Sequence, residues 1–470
     1  MQLTKIEILK NVLSEKQSTF LLGAGASSPF FSSLGNIENL LSDNKVDPEA
    51  KDLVKTVFFM KSIADNSYLI NYLDNVCYCG PNKDTMLKIL DNYTHFTYNI
   101  IELLKIRNSR ISPKRTNIVT TNYDLFLETA IEEILQDNNR IFYNDGASGY
   151  INRTLSTENF NKTLMYSGIF DNYSTEMPAI NLLKCHGSIN WKEQKKNGQR
   201  SRVLIESKFE NFKKINTLLN GVMEEINKSI KDEGLLFEDT PILDIQSIVS
   251  LIDEEYNDCS ISILNRIGKK INTILLPILS EIDTLQIVFP TKRKFQTTLI
   301  EEQYFNILRL LSYELEKEQS VLIVFGFSFF DEHITDIVQR SLNNPSLLVV
   351  IFCYTDASKS EIISRFNFSE TTVPNNVIFI QPNDFLNERI EKEKFDIENH
   401  LQKTCIHFDD YVEIYDSKIK VRKIPTENEF GIKIDVETPT IDFYSFNELL
   451  GENLSNRYIS NFNLEVEIDE

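Results

Sequence analysis

The sequence predicts an α/β fold with a mainly parallel sheet flanked by helices. Three observations predict it. Short apolar runs of strand length recur along the chain, segments with helical spacing separate them, and each run ends in small or polar residues.

Taken in order, the runs are STFLLGAGAS (18–27), NIVTTNYD (117–124), INLLKCHGS (180–188), SVLIVFGFS (320–328), SLLVVIFCYTD (346–356) and NNVIFIQPNDF (375–385). Among the intervening segments, Thr297–Lys317 carries Ile300, Tyr304, Leu308 and Leu311 at intervals of three or four, which predicts a helix. Residues 45–110 read as largely helical, a cap over one end of the sheet. The stretch Trp191–Asp283 interrupts the strand–helix rhythm with charged residues between heptad-like apolar positions, and reads as a helical insertion. After about residue 396 alternating runs such as YVEIYDSKIKVRKI and FGIKIDVETPTIDFYSF predict a small β-rich appendix with an acidic end. The expected organisation is a discontinuous sheet domain of residues 1–190 and 284–395, an insertion at 191–283 and a C-terminal region at 396–470.

Composition narrows the function. The 470 residues are 41% hydrophobic, enough for sizeable cores, and 69 acidic against 49 basic residues give a formal charge of −20. Such a balance repels a phosphate backbone or an anionic membrane, so nucleic acid and membrane are not expected as direct ligands. The first residues lack the pattern of a signal peptide and no run approaches a membrane span, which predicts a cytoplasmic protein. The six cysteines include no CxxC pair and are read as reduced core thiols.

In an open parallel sheet ligands bind beyond the carboxyl ends of the strands, where loops converge and helix N-termini offer free N–H groups. Chemistry is therefore sought just after each run. Gly23-Ala24-Gly25-Ala26-Ser27 can turn sharply and bring amides to a pyrophosphate, although a plain strand-to-helix turn accounts for it as well. Thr120-Thr121-Asn122-Tyr123-Asp124 offers donors and acceptors for a ribose or carboxamide, beyond the single residue a helix cap needs. His186, before Gly187-Ser188, places an imidazole that can exchange a proton with a hydroxyl near neutral pH, or is simply a histidine at a turn. Gly326-Phe327-Ser328, followed by Asp331, would let a nucleotide lie against backbone and hydroxyl.

GAGAS, TTNYD, HGS and GFS, in that order, resemble the motifs of the sirtuin superfamily, and most nearly its divergent bacterial members of antiphage defence. The phrase Phe289-Pro290-Thr291-Lys292-Arg293-Lys294-Phe295 is similar to one in that group. The resemblance implies a Rossmann-like sheet that binds NAD as substrate, with Gly23, Ala24, Gly25, Ala26 and Ser27 on the phosphates and Thr121 beside them. Gly326, Ser328 and Tyr354 would lie on the adenosine side. It further implies that Asn122 orients the ribose and a water, that Asp124 meets the nicotinamide carboxamide and that His186 is the base near the ribose hydroxyls.

Departures from the family select the reaction. The four-cysteine zinc module of sirtuin deacylases falls between the HGS and GFS motifs, and here that interval holds only Cys259, so no zinc is expected. Nor does SPFFSSLGNIENLL keep the Pro-Asp-Phe-Arg phrase of the deacylases. The expected activity is therefore NAD glycohydrolysis to nicotinamide and ADP-ribose. An NAD-dependent deacylase, an ADP-ribosyltransferase and a non-catalytic NAD or ADP-ribose sensor are the alternatives. The resemblance also implies a homo-oligomer working beside a ring-forming HerA-type ATPase. The chain itself has no GxxxxGK[ST] phrase for ATP.

Overall fold

The computed structural model describes residues 13, 16–31, 36–76, 82–107, 113–136, 140–167, 174–194, 202–254, 257–290, 302–369, 371–385 and 440–455, with short strands at 412–415, 418–421, 431–433 and 467–469. Cys77, Cys79, the 291–295 part of the FPTKRKF phrase and most of 396–470 lie outside the described residues.

Seven strands form one parallel sheet: β1 (Gln17–Leu22), β2 (Arg115–Thr120), β3 (Phe142–Asn144), β4 (Ala179–Lys184), β5 (Ser320–Phe325), β6 (Leu348–Phe352) and β7 (Val377–Ile380). They run in the order β7-β6-β5-β1-β2-β4-β3. From β1 the chain builds outward through β2 on one side and later through β5 on the other, so the switch point lies between β1 and β5. The register puts Leu22 opposite both Phe325 and Thr120, and Thr120 opposite Lys184. Four strands that lead into the four motifs therefore end on one level.

The strands are buried along most of their length because both faces are covered. Phe20 and Leu22 enter one core with helices Pro48–Phe59, Lys83–Ile106 and Phe126–Gln136; Leu21 enters the other with Glu302–Glu316, Glu332–Ser341 and Asp356–Arg365. Trp191 is a core residue, stacked on Tyr304 with ring centroids 6.5 Å apart.

Beyond His186 the chain leaves the parallel sheet at once. Gly187–Gln194 belongs to a second, antiparallel sheet ordered Leu285–Ile287, Gly187–Gln194, Arg202–Ile205, Thr154–Leu155, Ala147–Ser148. The helices of the 191–283 stretch thus begin only at Glu210–Lys231, followed by Ile245–Glu254 and Asp258–Ile282. The last lies so close to Pro48–Phe59 that a Cβ on Gly268 would meet the Ala50 backbone at 2.6 Å. Among the described cysteines, Cys185 and Cys353 are buried, whereas Cys259, on the first turn of Asp258–Ile282, is exposed and is not a core thiol.

The C-terminal part contains a feature its alternating pattern does not announce. Besides two short antiparallel strand pairs it forms the helix Phe443–Ser455, whose Phe443 and Phe446 are buried against the sheet. Each ring contributes about 2 kcal/mol of burial. Among the described residues, no helix is long and apolar enough to cross a membrane.

Candidate functional site

Three glycines set the switch point. Gly326 has a φ of +64°, and a Cβ on Gly23 would lie 2.4 Å from the Gly326 oxygen. The Gly25 N–H donates to that same oxygen at 2.9 Å. Only glycine permits this approach of two strand ends.

The turn after β1 is more committed to the fold than its sequence suggests. The N–H groups of Ala26 and Ser27 donate to the carbonyls of Gly23 and Ala24, and that of Gly23 to the Phe325 carbonyl, all at 3.1 Å, so that with Gly25 four amides of the expected phosphate cradle are already bonded. The Ala24 N–H has no partner among the described residues, and Ala24 lines the cavity described below. The Ala26 side chain is fully buried. Ser27, 1% exposed, is likewise not a free hydroxyl donor: it gives its single proton to Asp124 Oδ2 at 2.7 Å and accepts from Asn122 Nδ2 at 3.1 Å. The Tyr93 hydroxyl, 2.8 Å away, must then donate to Ser27.

Asn122 and Asp124, on the turn after β2, meet this network. The Asn122 amide nitrogen also donates to the Gly23 carbonyl at 3.0 Å, leaving the amide oxygen for a ligand. Asp124 accepts from the Phe126 N–H at 3.2 Å. Burial raises its carboxyl above the ordinary aspartate range, while Lys184 and the Ser27 and Phe126 bonds oppose the shift. Burial also pushes the Tyr93 phenol well up, so it stays a neutral donor.

Lys184, the last residue of β4, is 3% exposed and ties two loops together. Its ammonium donates to the Asp124 carbonyl and to Ser188 Oγ at 3.0 Å, and pairs with Glu128 at 2.7 Å. A buried charge held this way is satisfied on several sides, the condition for tolerating its desolvation.

His186 occupies the corner where the chain passes from one sheet to the other. Its carbonyl accepts from the Val288 N–H at 2.9 Å, and the Tyr123 hydroxyl donates to the Val288 carbonyl at 2.7 Å. Gly187, with φ +82°, makes the corner possible, since a Cβ there would sit 2.0 Å from the Gln286 oxygen. His186 Nε2 stands 2.9 Å from Asp331 Oδ2. The other oxygen of Asp331 caps helix Glu332–Ser341, accepting from the N–H groups of His333 and Ile334 at 3.1 and 3.2 Å. One carboxylate thus caps a helix and stands at ion-pair distance from an imidazole.

These groups share one cavity of about 180 Å³, lined by Ala24, Ser27, Thr121, Asn122, Asp124, His186, Gly326 and Ser328, together with Glu38 and Asp331. Across the Gly326–Ser328 wall lies a second cavity of about 720 Å³, lined by Gly25, Tyr354, Ser358 and Arg365 among others. Tyr354 is 60% exposed on its rim. Gly23 contributes backbone contacts to the junction. Motif reading identified neither Tyr93, Lys184, Glu38 nor the pairing of Asp331 with His186. A lysine inside a buried run, and a helix-capping aspartate five residues past Gly326, were the available signals. Among the described residues, no group of three or more His, Cys, Asp or Glu side chains could hold a metal ion.

A parallel sheet whose loops converge on a glycine-built crevice at its switch point defines the nucleotide-binding class of α/β proteins. More narrowly, residues 116–238 match the SIR2-like domain of the sirtuin superfamily, a stretch that includes Asn122, Asp124 and His186. That domain implies NAD-related chemistry. No curated protein matches the chain.

Proposed function

We propose that the chain is an NAD glycohydrolase. The observation that carries this reading is the convergence of Asn122, Asp124 and His186 on one small cavity, with a larger cavity across the glycine junction. The nicotinamide riboside end fits the former and the ADP part the latter.

The C–N bond between ribose and nicotinamide breaks, its electron pair passing to the nicotinamide ring. Water then bonds to the ribosyl carbon and releases a proton. His186 Nδ1 takes that proton or polarises a ribose hydroxyl, and the Asn122 amide oxygen holds the water. Glu38, Asp124 and Asp331 surround the developing oxocarbenium with acidic groups, and positioned charge of this kind supplies much of the acceleration in enzyme sites. The leaving group is cationic, so the step needs no protein nucleophile.

NAD depletion in antiphage defence, activation by assembly, homo-oligomerisation, a HerA-type ATPase partner and a cytoplasmic setting belong to the same proposal, and the motif resemblance supports them. Incubating the pure chain with NAD, alone and with the candidate ATPase, tests the reaction. Release of nicotinamide and ADP-ribose in equal amounts without a protein or peptide acceptor is expected. Intact NAD under both conditions, or strict dependence on an acyl-peptide, would overturn it.

A further inference from the structure

The larger cavity is walled on its outer side by a segment far from every motif. Ile441, Asp442 and Phe443 line it together with Gly25, Gly326 and Tyr354. The Ile441 N–H donates to the Tyr354 carbonyl at 2.9 Å, which lays the segment alongside the loop leaving β6.

This placement is built into the core. Phe443 and Phe446 stack on Phe325, the last residue of β5, with ring centroids at 5.1 and 4.5 Å, and Phe446 meets Phe352 of β6 at 4.7 Å. Asn447 Nδ2 donates to the Asn92 carbonyl at 2.8 Å, while Asn99 Nδ2 donates to the Asn447 carbonyl at 2.9 Å. Asp442 caps the helix by accepting from the N–H and hydroxyl of Ser445. Apolar packing therefore holds the segment against the strand ends that frame the glycine junction. Ile441 brings an aliphatic surface and Phe443 an aromatic one, both suited to a purine rather than to a charged group.

We infer that Ile441–Phe443 forms the outer wall of the adenosine subsite, so that the C-terminal part of the chain sets affinity for the adenosine half of the dinucleotide. This rests on the NAD reading above. Among the described residues, those lining the larger cavity all fall outside the matched range 116–238.

Calorimetric titration with ADP-ribose and with nicotinamide mononucleotide separates the two halves. Ile441→Ala removes aliphatic contact at one side of the subsite and is expected to weaken ADP-ribose about tenfold, with mononucleotide binding unchanged. Equal ADP-ribose affinity in the folded variant overturns the inference, as does an equal loss of both ligands. If the unaltered chain binds neither, the dinucleotide reading itself falls and takes the wall with it. Photolabelling the unaltered chain with 8-azido-NAD needs no variant to fold. Label on the peptide containing residues 440–446 supports the assignment, and label confined to other peptides overturns it.

Discussion

Replacing Asp331 with asparagine separates the two duties of its carboxylate. Oδ1 caps helix Glu332–Ser341, and Oδ2 stands 2.9 Å from His186 Nε2. Asparagine caps a helix about as well as aspartate, so stability is expected to hold within about 0.5 kcal/mol. With its oxygen on the helix, the new amide presents an NH₂ to Nε2. That nitrogen then has to accept, and the ring proton moves to Nδ1, where a base is needed. General acid–base assistance is worth about 10²–10⁴-fold, so NAD cleavage should fall at least about 100-fold, near 2.7 kcal/mol of barrier. Asp331→Ala should lose the same activity and also about 1 kcal/mol from the uncapped helix. Initial rates of nicotinamide release and chemical denaturation on the same preparations give both numbers. An asparagine variant that cleaves NAD within threefold of the parent refutes the assigned tautomer. One that unfolds as readily as the alanine variant refutes the cap argument.

Three further outcomes follow from the same geometry. His186→Ala and Asn122→Ala should each lower nicotinamide release by about 10²–10⁴-fold in protein that still folds, Asn122→Ala also losing about 1–3 kcal/mol of stability from its buried hydrogen bonds; parent rates in both would remove the site assignment. Gly326→Ala sets a Cβ 2.6 Å from the Ala26 nitrogen at a φ of +64°, at a cost of about 1–2 kcal/mol for the left-handed backbone before the clash is counted. It should lower thermal stability and abolish the stabilisation that ADP-ribose gives the parent, and a variant matching the parent in both measurements would show the junction to be yielding. Asp124→Asn tests the buried carboxyl by pH. Because burial raises its folded pKa above the usual 3.8, the stability this group contributes is full below that value and is lost as pH rises through the folded pKa. Asparagine cannot ionise, so denaturation at pH 4 and pH 7 should show the variant gaining on the parent with rising pH; a constant or shrinking difference contradicts the shift.

Much of the fold was legible because a parallel sheet covered on both faces builds its strands around short apolar runs, and six of the seven strands contain one. The seventh, Phe142–Asn144, has three residues and offers no period to read. The site was legible where chemistry directly follows a strand, since the common register of Leu22, Thr120, Lys184 and Phe325 turns four distant motifs into one rim. Tyr93 was not, because a tyrosine within an amphipathic helix looks like core until its hydroxyl is found on Ser27. Helix Phe443–Ser455 was missed although Asp442 and Ser445 form a cap and Phe443, Phe446 and Leu450 keep helical spacing. Local alternation in TIDFYSF outweighed that signal.

The meeting of His186 and Asp331 needs a physical account, because the strands that carry them are not neighbours. β1 and β2 stand between β4 and β5, so at roughly 4.8 Å per strand the two loops start about 14 Å apart. Phe329 closes part of that gap. It adopts φ +56°, a left-handed conformation that costs a bulky side chain about 1–2 kcal/mol, and it reverses the chain two residues before Asp331. Its ring is 2% exposed, packed 5.0 Å from Phe327 and 4.7 Å from Phe366, and burial of that size offsets the strain. The Thr335 hydroxyl ties the turn to the helix through the carbonyls of Phe329 and Asp331. Core packing therefore fixes where the carboxylate stands. The pair that results lines the same cavity as Asn122, so core packing around Phe329 also decides which charged groups face that cavity.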